Sequence, residues 1–185
     1  MTLFEILLAV PGGLLLVALA FAVLVMVRPA DFAISRETTI AAPPETVFGH
    51  IDNLRRWEAW SPWAKLDPAM AQTYDGPPEG VGASHAWNGN NAVGEGKMTV
   101  IESVPGERVA LRLEFLRPMK VVNRSEFALK PAAAGTVVTW TMTGTNGFMG
   151  KAFDLVMNMD RMLGKDFEKG LANLKAVVEG TAKPA

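Results

Sequence analysis

Apolar and polar positions follow three different patterns along this chain, and each pattern predicts a different element. Residues 6–27, Ile6 to Val27, hold 22 consecutive positions without a charged or polar side chain. As a helix such a run spans roughly 33 Å, about the hydrocarbon thickness of a bilayer. A buried core helix of that length would normally keep a polar face. A cleaved signal peptide would normally carry a basic segment ahead of the apolar run, whereas only Glu5 precedes this one. The pattern therefore predicts one N-terminal transmembrane helix, loosened by Pro11-Gly12-Gly13.

Beyond it the period changes to two. Phe32–Ala42 places Ile34, Thr38 and Ile40 on one parity and reads as a strand. Pro43-Pro44-Glu45 suits a helix start, Val47, Phe48 and Ile51 make its apolar face, and Asp52 is placed to cap a second short helix stopped by Pro62. Strand-like runs follow at Ala71–Tyr74, Ala83–Trp87, Gly96–Val104, Arg108–Leu116, Val121–Lys130 and Thr136–Thr143. Gly-Pro, Asn-Gly, Pro-Gly and Arg-Pro breakers separate them by links short enough to imply an antiparallel meander.

From Phe148 to Glu179 the period is helical. Phe153, Met157, Leu163, Phe167, Leu171, Leu174 and Val178 form the stripe, interrupted at Asp160. Gly164 and Gly170 inside this helix imply close approach to a sheet. The order predicts an α+β fold with one long C-terminal helix across a curved antiparallel sheet. Its expected parts are an anchor over 1–30, a folded domain over 31–180 and a tail over 181–185.

Composition narrows the function classes. The 185 residues carry 18 Lys/Arg and 19 Asp/Glu, and setting aside Glu5 and Arg28 leaves 17 against 18 in the folded part. Such balance gives no electrostatic footprint for nucleic acid. Cysteine is absent and histidine occurs twice, so no metal site, disulfide or thiol nucleophile is expected, and no cofactor. Gly89–Gly94 is followed by Glu95 and so forms no P-loop. Gly94-x-Gly96 lacks the third glycine of a dinucleotide fingerprint, and there is no G-x-S-x-G or H-E-x-x-H.

Candidate site residues come from parity within the strands. His85 shares parity with Trp87, and Trp140 with Val138 and Met142. The set Val121, Asn123, Ser125, Phe127, Leu129 is mostly apolar, so it faces inward and carries Asn123 and Ser125 with it. Arg112 and Glu114 then face solvent. Trp60, Trp63 and Met157 are further candidates, since tryptophan offers area with one donor and methionine adapts to irregular apolar shapes. Core packing is the competing reading for every one of them. His50, in the first short helix, reads as a surface or capping residue.

Several stretches in order resemble the START-like, or Bet v 1-like (SRPBCC), superfamily, and most closely its bacterial polyketide cyclase/dehydrase-like proteins. They are Ile40-Ala41-Ala42-Pro43-Pro44-Glu45-Thr46-Val47-Phe48, Trp57-x-x-Trp60-Ser61-Pro62-Trp63, Gly94-Glu95-Gly96-Lys97-Met98, Gly135-Thr136-x-Val138-Thr139-Trp140 and Gly164-Lys165-Asp166-Phe167-Glu168-Lys169-Gly170-Leu171. The resemblance implies a helix-grip fold and an apolar cavity for a lipid or other hydrophobic molecule, and it implies no catalytic set.

The resulting expectation is a single-pass membrane protein that binds a hydrophobic small molecule or lipid. Its ligand would be lined by Trp60, Trp63, His85, Trp87, Asn123, Ser125, Trp140, Met142 and Met157. Arg28 and Arg36 follow the apolar run while no cation precedes it, which points the folded domain to the cytoplasm of a cell membrane. Two alternatives stand beside it: a cyclase- or dehydratase-like enzyme using His85, and a non-catalytic interaction module of a membrane complex.

Overall fold

The computed structural model describes residues 3–181, with side chains from residue 12 onward. It separates into two compact units.

The larger unit, Ala33–Gly144 with the chain from Asp160, holds most of the sheet and the long helix. Seven antiparallel strands run β1 (Asp31–Ile40), β2 (Ala71–Asp75), β3 (Ser84–Asn88), β4 (Glu95–Val104), β5 (Arg108–Arg117), β6 (Val121–Ala132) and β7 (Gly135–Thr145). Their spatial order is β1-β7-β6-β5-β4-β3-β2, a meander closed by the first strand. This is the predicted α+β arrangement, with a curved sheet and a C-terminal helix in the helix-grip manner. Along β4 the register slips between Val100 and Glu102. The extra residue there bends the strand and adds twist.

Between β1 and β2 lie helix α2 (Pro44–Asp52) and a 3-10 turn (Leu54–Ala59). Pro44 starts α2 where its missing N–H costs nothing, and Val47 and Ile51, one turn apart, are fully buried. The expected Asp52 cap is not made. Asn53 caps the 3-10 turn instead, accepting from Arg55 N at 3.1 Å. Asp52 is buried and accepts from Ser103 Oγ at 2.8 Å, and burial raises its carboxyl pKa. A side chain one position later points at the free N–H groups, so a one-residue shift of the boundary changes which residue caps.

The long helical stretch breaks at Asn158, which adopts φ 52°, into α3 (Phe148–Met157) and α4 (Met159–Val178). Asp160 opens α4 and pairs with Arg36 of β1 at 3.1 Å, and the same guanidinium reaches Glu168 at 2.9 Å. Those bonds hold the Asp160 carboxyl below its ordinary pKa. Phe167, Leu171 and Leu174 form the buried stripe of α4. Gly164 lies under the Arg36 guanidinium, and a Cβ on Gly170 would fall 2.7 Å from Trp140 Cζ3, so both glycines serve the close approach expected of them. Arg112 and Glu114 lie on the outer face and pair with each other at 3.0 Å.

The smaller unit, Met1–Phe32 with Thr145–Met159, joins helix α1 (Leu3–Val27) to α3. Lys151 Nζ donates to the carbonyls of Met26 and Arg28 at 3.3 and 2.8 Å, and Arg28 pairs with Asp154 at 3.5 Å. Helix α1 covers the predicted span 6–27, but the side chains of residues 6–11 lie outside the described set, which leaves Gly12–Val27. Among the described residues no helix is long and apolar enough to cross a membrane. Residues 182–185 of the expected tail also lie outside the described residues.

Candidate functional site

The inner face of the sheet is built from lateral rows whose members project to the same side because they are paired directly across strands. One row runs Trp87, Gly96, Phe115, Val121. The next runs His85, Met98, Leu113, Asn123, and Tyr74 of β2 extends it past His85. A third runs Val100, Leu111, Ser125, Met142. His85, Trp87, Asn123, Ser125 and Met142, chosen separately by strand parity, thus occupy three adjacent rows. Burial deepens across them. Trp87, Phe115 and Val121 are half-buried, whereas Val100, Leu111, Ser125 and Met142 are buried.

At the deep end the space between sheet and α4 is filled by aromatic rings. Trp140 stacks on Phe127 at 4.7 Å and on Phe167 at 4.2 Å. Trp57, Trp60 and Trp63 pack edge-on around Trp140 at 6.3, 5.9 and 5.8 Å. Each buried indole donor has an acceptor: Trp57 donates to Ile51 O, Trp60 to His50 O and Trp140 to Ser125 Oγ. Trp60 and Trp140 are 0% and 1% exposed. The structure therefore gathers Trp60, Trp63, Trp140 and Ser125 into one packed cluster. His50 supplies a backbone carbonyl to it, and burial beside Arg56 lowers its imidazole pKa.

The shallow end is different. Trp87 lies across Gly96, where a Cβ would fall 2.5 Å from Trp87 Cζ2, and its indole N–H donates to Val93 O. Phe115 meets the same ring edge-on at 6.0 Å. His85 stacks flat on Tyr74 at 4.5 Å, and the Arg55 guanidinium caps the far side of that phenol at 4.4 Å. His85 Nε2 hydrogen-bonds Gln72 Oε1 at 2.9 Å, and the Tyr74 hydroxyl donates to the same oxygen at 3.2 Å. With a carbonyl oxygen facing it, Nε2 carries the ring proton and Nδ1 is a bare acceptor. Burial lowers the pKa of His85 to about 4, so the ring is neutral at pH 7.

Among the described residues, two buried polar atoms on this row have no hydrogen-bonding partner, His85 Nδ1 and Asn123 Oδ1. Asn123 reaches only Met142 Sδ, at 3.9 Å through its Nδ2. Both residues are more than nine-tenths buried. A buried acceptor left unpaired costs about 1–3 kcal/mol, so two on one row are a specific feature of the site. Between them the row offers Met98 and Leu113, both half-buried and apolar, and no cationic side chain.

Met157, the remaining candidate, belongs to the smaller unit and is 52% exposed. Leu113 lies on the inner parity of its strand in the sequence, whereas Gln72, Tyr74 and Met98 carry no such signal. Gln72 and Tyr74 share the alternate parity of a five-residue strand too short and too polar to signal an inner face. Among the described residues no group of three or more His, Cys, Asp or Glu side chains could hold a metal ion.

Residues 31–179 match the family model described as polyketide cyclase/dehydrase and lipid transport. Solved structures with the same fold include a Chromobacterium violaceum protein, 18% identical, covering 80% of this chain and 96% of that one with a TM-score of 0.58. The Aha1 dimer from Colwellia psychrerythraea is 17% identical, covering 82% and 99% with a TM-score of 0.59. The di-domain ARO/CYC StfQ from the steffimycin biosynthetic pathway is 14% identical, covering 82% of this chain and 51% of that one, TM-score 0.60. No curated protein matches the chain.

Proposed function

Because the chain belongs to the polyketide cyclase/dehydrase and lipid transport family, we propose that its folded domain binds a neutral hydrophobic small molecule or lipid on the inner face of the sheet. The observation that carries this reading is the pair of unpartnered buried acceptors on one row, His85 Nδ1 and Asn123 Oδ1, with Met98 and Leu113 between them. Three strand spacings separate the two residues, about 14 Å along the sheet. A ligand suited to them has an apolar body lying over Met98 and Leu113 and a hydroxyl or N–H donor toward each end. Trp87, Phe115 and Val121 form the half-buried edge by which it enters. A carboxylate or phosphate is disfavoured, because it would meet acceptors and no cation on this row.

The chemistry favours binding over turnover. A histidine with a pKa of about 4 is a weak base at pH 7, and its second nitrogen is already engaged by Gln72. His85 here is a hydrogen-bonding group. In this reading the 22-residue apolar run tethers the domain to a cell membrane, with the domain on the cytoplasmic side where Arg28 and Arg36 lie. The short link from Val27 to β1 then keeps the domain beside a source of apolar ligand.

The test is solvent extraction of the purified full chain followed by mass spectrometry, run in parallel with Asn123→Leu and with His85→Phe. A stoichiometric neutral compound in the wild type, reduced in both variants, is the expected result. Recovery of the same compounds at the same yield from all three proteins would remove the basis of this reading.

A further inference from the structure

Helix α3 turns its apolar side chains to the outside. Phe148, Met149, Phe153, Val156 and Met157 are 48%, 67%, 44%, 68% and 52% exposed, and no residue of the helix is buried. At about 100° per residue these five fall within one half of the helix surface. Lys151 and Asp154 fall on the other half. That polar half is the one fastened to α1, by Lys151 on the carbonyls of Met26 and Arg28 and by Arg28 on Asp154. The clamp holds α3 at the end of the apolar run, where Leu24, Met26 and Val27 are themselves 56%, 68% and 73% exposed. Both helices therefore present apolar side chains to the outside at this end, beside the cations Arg28 and Lys151. Patches of this kind mark protein or membrane contacts.

We propose that α3 is an interfacial helix that lies in the headgroup region of a lipid bilayer, its Phe148–Met157 apolar half inserted among the acyl chains and Arg28 and Lys151 at headgroup level. The inference rests on the reading of residues 6–27 as a membrane tether and adds a second contact to it. A second contact fixes the rotation of the small unit about the tether, which a single helix leaves free.

The absence of cysteine from the sequence makes the test direct. Single-cysteine variants Leu19→Cys, Val156→Cys and Lys130→Cys of the full chain carry an environment-sensitive fluorophore in vesicles of equimolar phosphatidylcholine and phosphatidylglycerol, with or without bromine on the acyl chains. The expected result is a blue shift and loss of emission for the Val156 probe in brominated vesicles comparable to the Leu19 probe, with the Lys130 probe unchanged. A quenched Leu19 probe beside an unquenched Val156 probe overturns the inference and leaves the tether standing. Neither probe quenched overturns both. A Val156 probe shielded from aqueous iodide yet untouched by brominated lipid also overturns it, since a protein surface would then cover α3.

Discussion

Trp140 of β7 and Phe167 of α4 lie face to face, ring centroids 4.2 Å apart and planes within 6°. Phe127 covers the sheet side of the same indole, so Trp140 is held between the two layers of the fold. This stack joins helix to sheet at the buried centre of the fold. Phe167→Ala is expected to lower stability by about 3–5 kcal/mol, because the ring is fully buried and its neighbours are too rigid to close the gap. Urea unfolding followed by tryptophan fluorescence measures it, and a loss below about 1 kcal/mol would show the cluster to be looser than its geometry.

Gly96 carries a second, sharper constraint. Its missing side chain is where Trp87 lies, and an added Cβ would also stand 2.6 Å from Glu114 O, a backbone atom that cannot swing away. Gly96→Ala is therefore expected to cost about 1–3 kcal/mol and to displace the Trp87 ring. In a double-mutant cycle with Trp87→Leu the two losses should not add, since removing the ring relieves part of the clash. Strict additivity would mean that the ring does not lie over Gly96.

Much of this architecture was readable from the chain. Gly, Pro and Asn breakers placed the strands of the meander to within two residues, and alternation put Asn123 and Ser125 inside. What alternation cannot supply is lateral register. The row that joins His85 to Asn123 depends on three strand pairings and on the extra residue near Ile101 of β4, none of which leaves a local signal. The same limit hid Arg36 as the partner of Asp160, 124 positions away, and hid Gln72 as the group that fixes the His85 tautomer. It also left the tryptophans undivided. Sequence spacing groups Trp57, Trp60 and Trp63, but only the structure separates the packed cluster around Trp140 from Trp87 at the shallow edge. The break in the last helix falls at Asn158, two residues before the polar interruption that announced it, because asparagine is among the few residues that adopt the left-handed conformation of this turn at low cost.

Burial of His85 sets a pH dependence whose sign can be stated. Its folded pKa, about 4, lies below the ordinary value of 6.5, so the unfolded chain binds the extra proton between those limits. Stability should accordingly fall as pH drops from about 6.5 to about 4 and level off below, with a contribution of at most about 2 kcal/mol after solvent screening. Asp52, whose pKa burial raises, works in the opposite sense over the acid part of this range. The His85→Phe variant isolates the histidine contribution: its melting temperature should decline less steeply than the wild type's across that window. Parallel curves would mean that the imidazole titrates as if solvated.

Asn123 and Ser125 sit two positions apart on β6, both buried, yet their substitution should separate function from stability. Ser125 Oγ accepts the Trp140 indole N–H at 2.9 Å, so Ser125→Ala strands a buried donor and should cost about 1–3 kcal/mol. Asn123 Oδ1 accepts nothing, and its amide reaches only a thioether. Asn123→Leu removes an unpaired acceptor and adds apolar contact beside Leu113 and Met142, so the ligand-free protein should be as stable as the wild type or more stable by about 1 kcal/mol. The same change should abolish the ligand-dependent rise in melting temperature, because the donor on the ligand would lose its partner. An Asn123→Leu protein that is strongly destabilised without ligand would assign the residue to the core, and one that keeps full ligand stabilisation would move the polar contact elsewhere on the row.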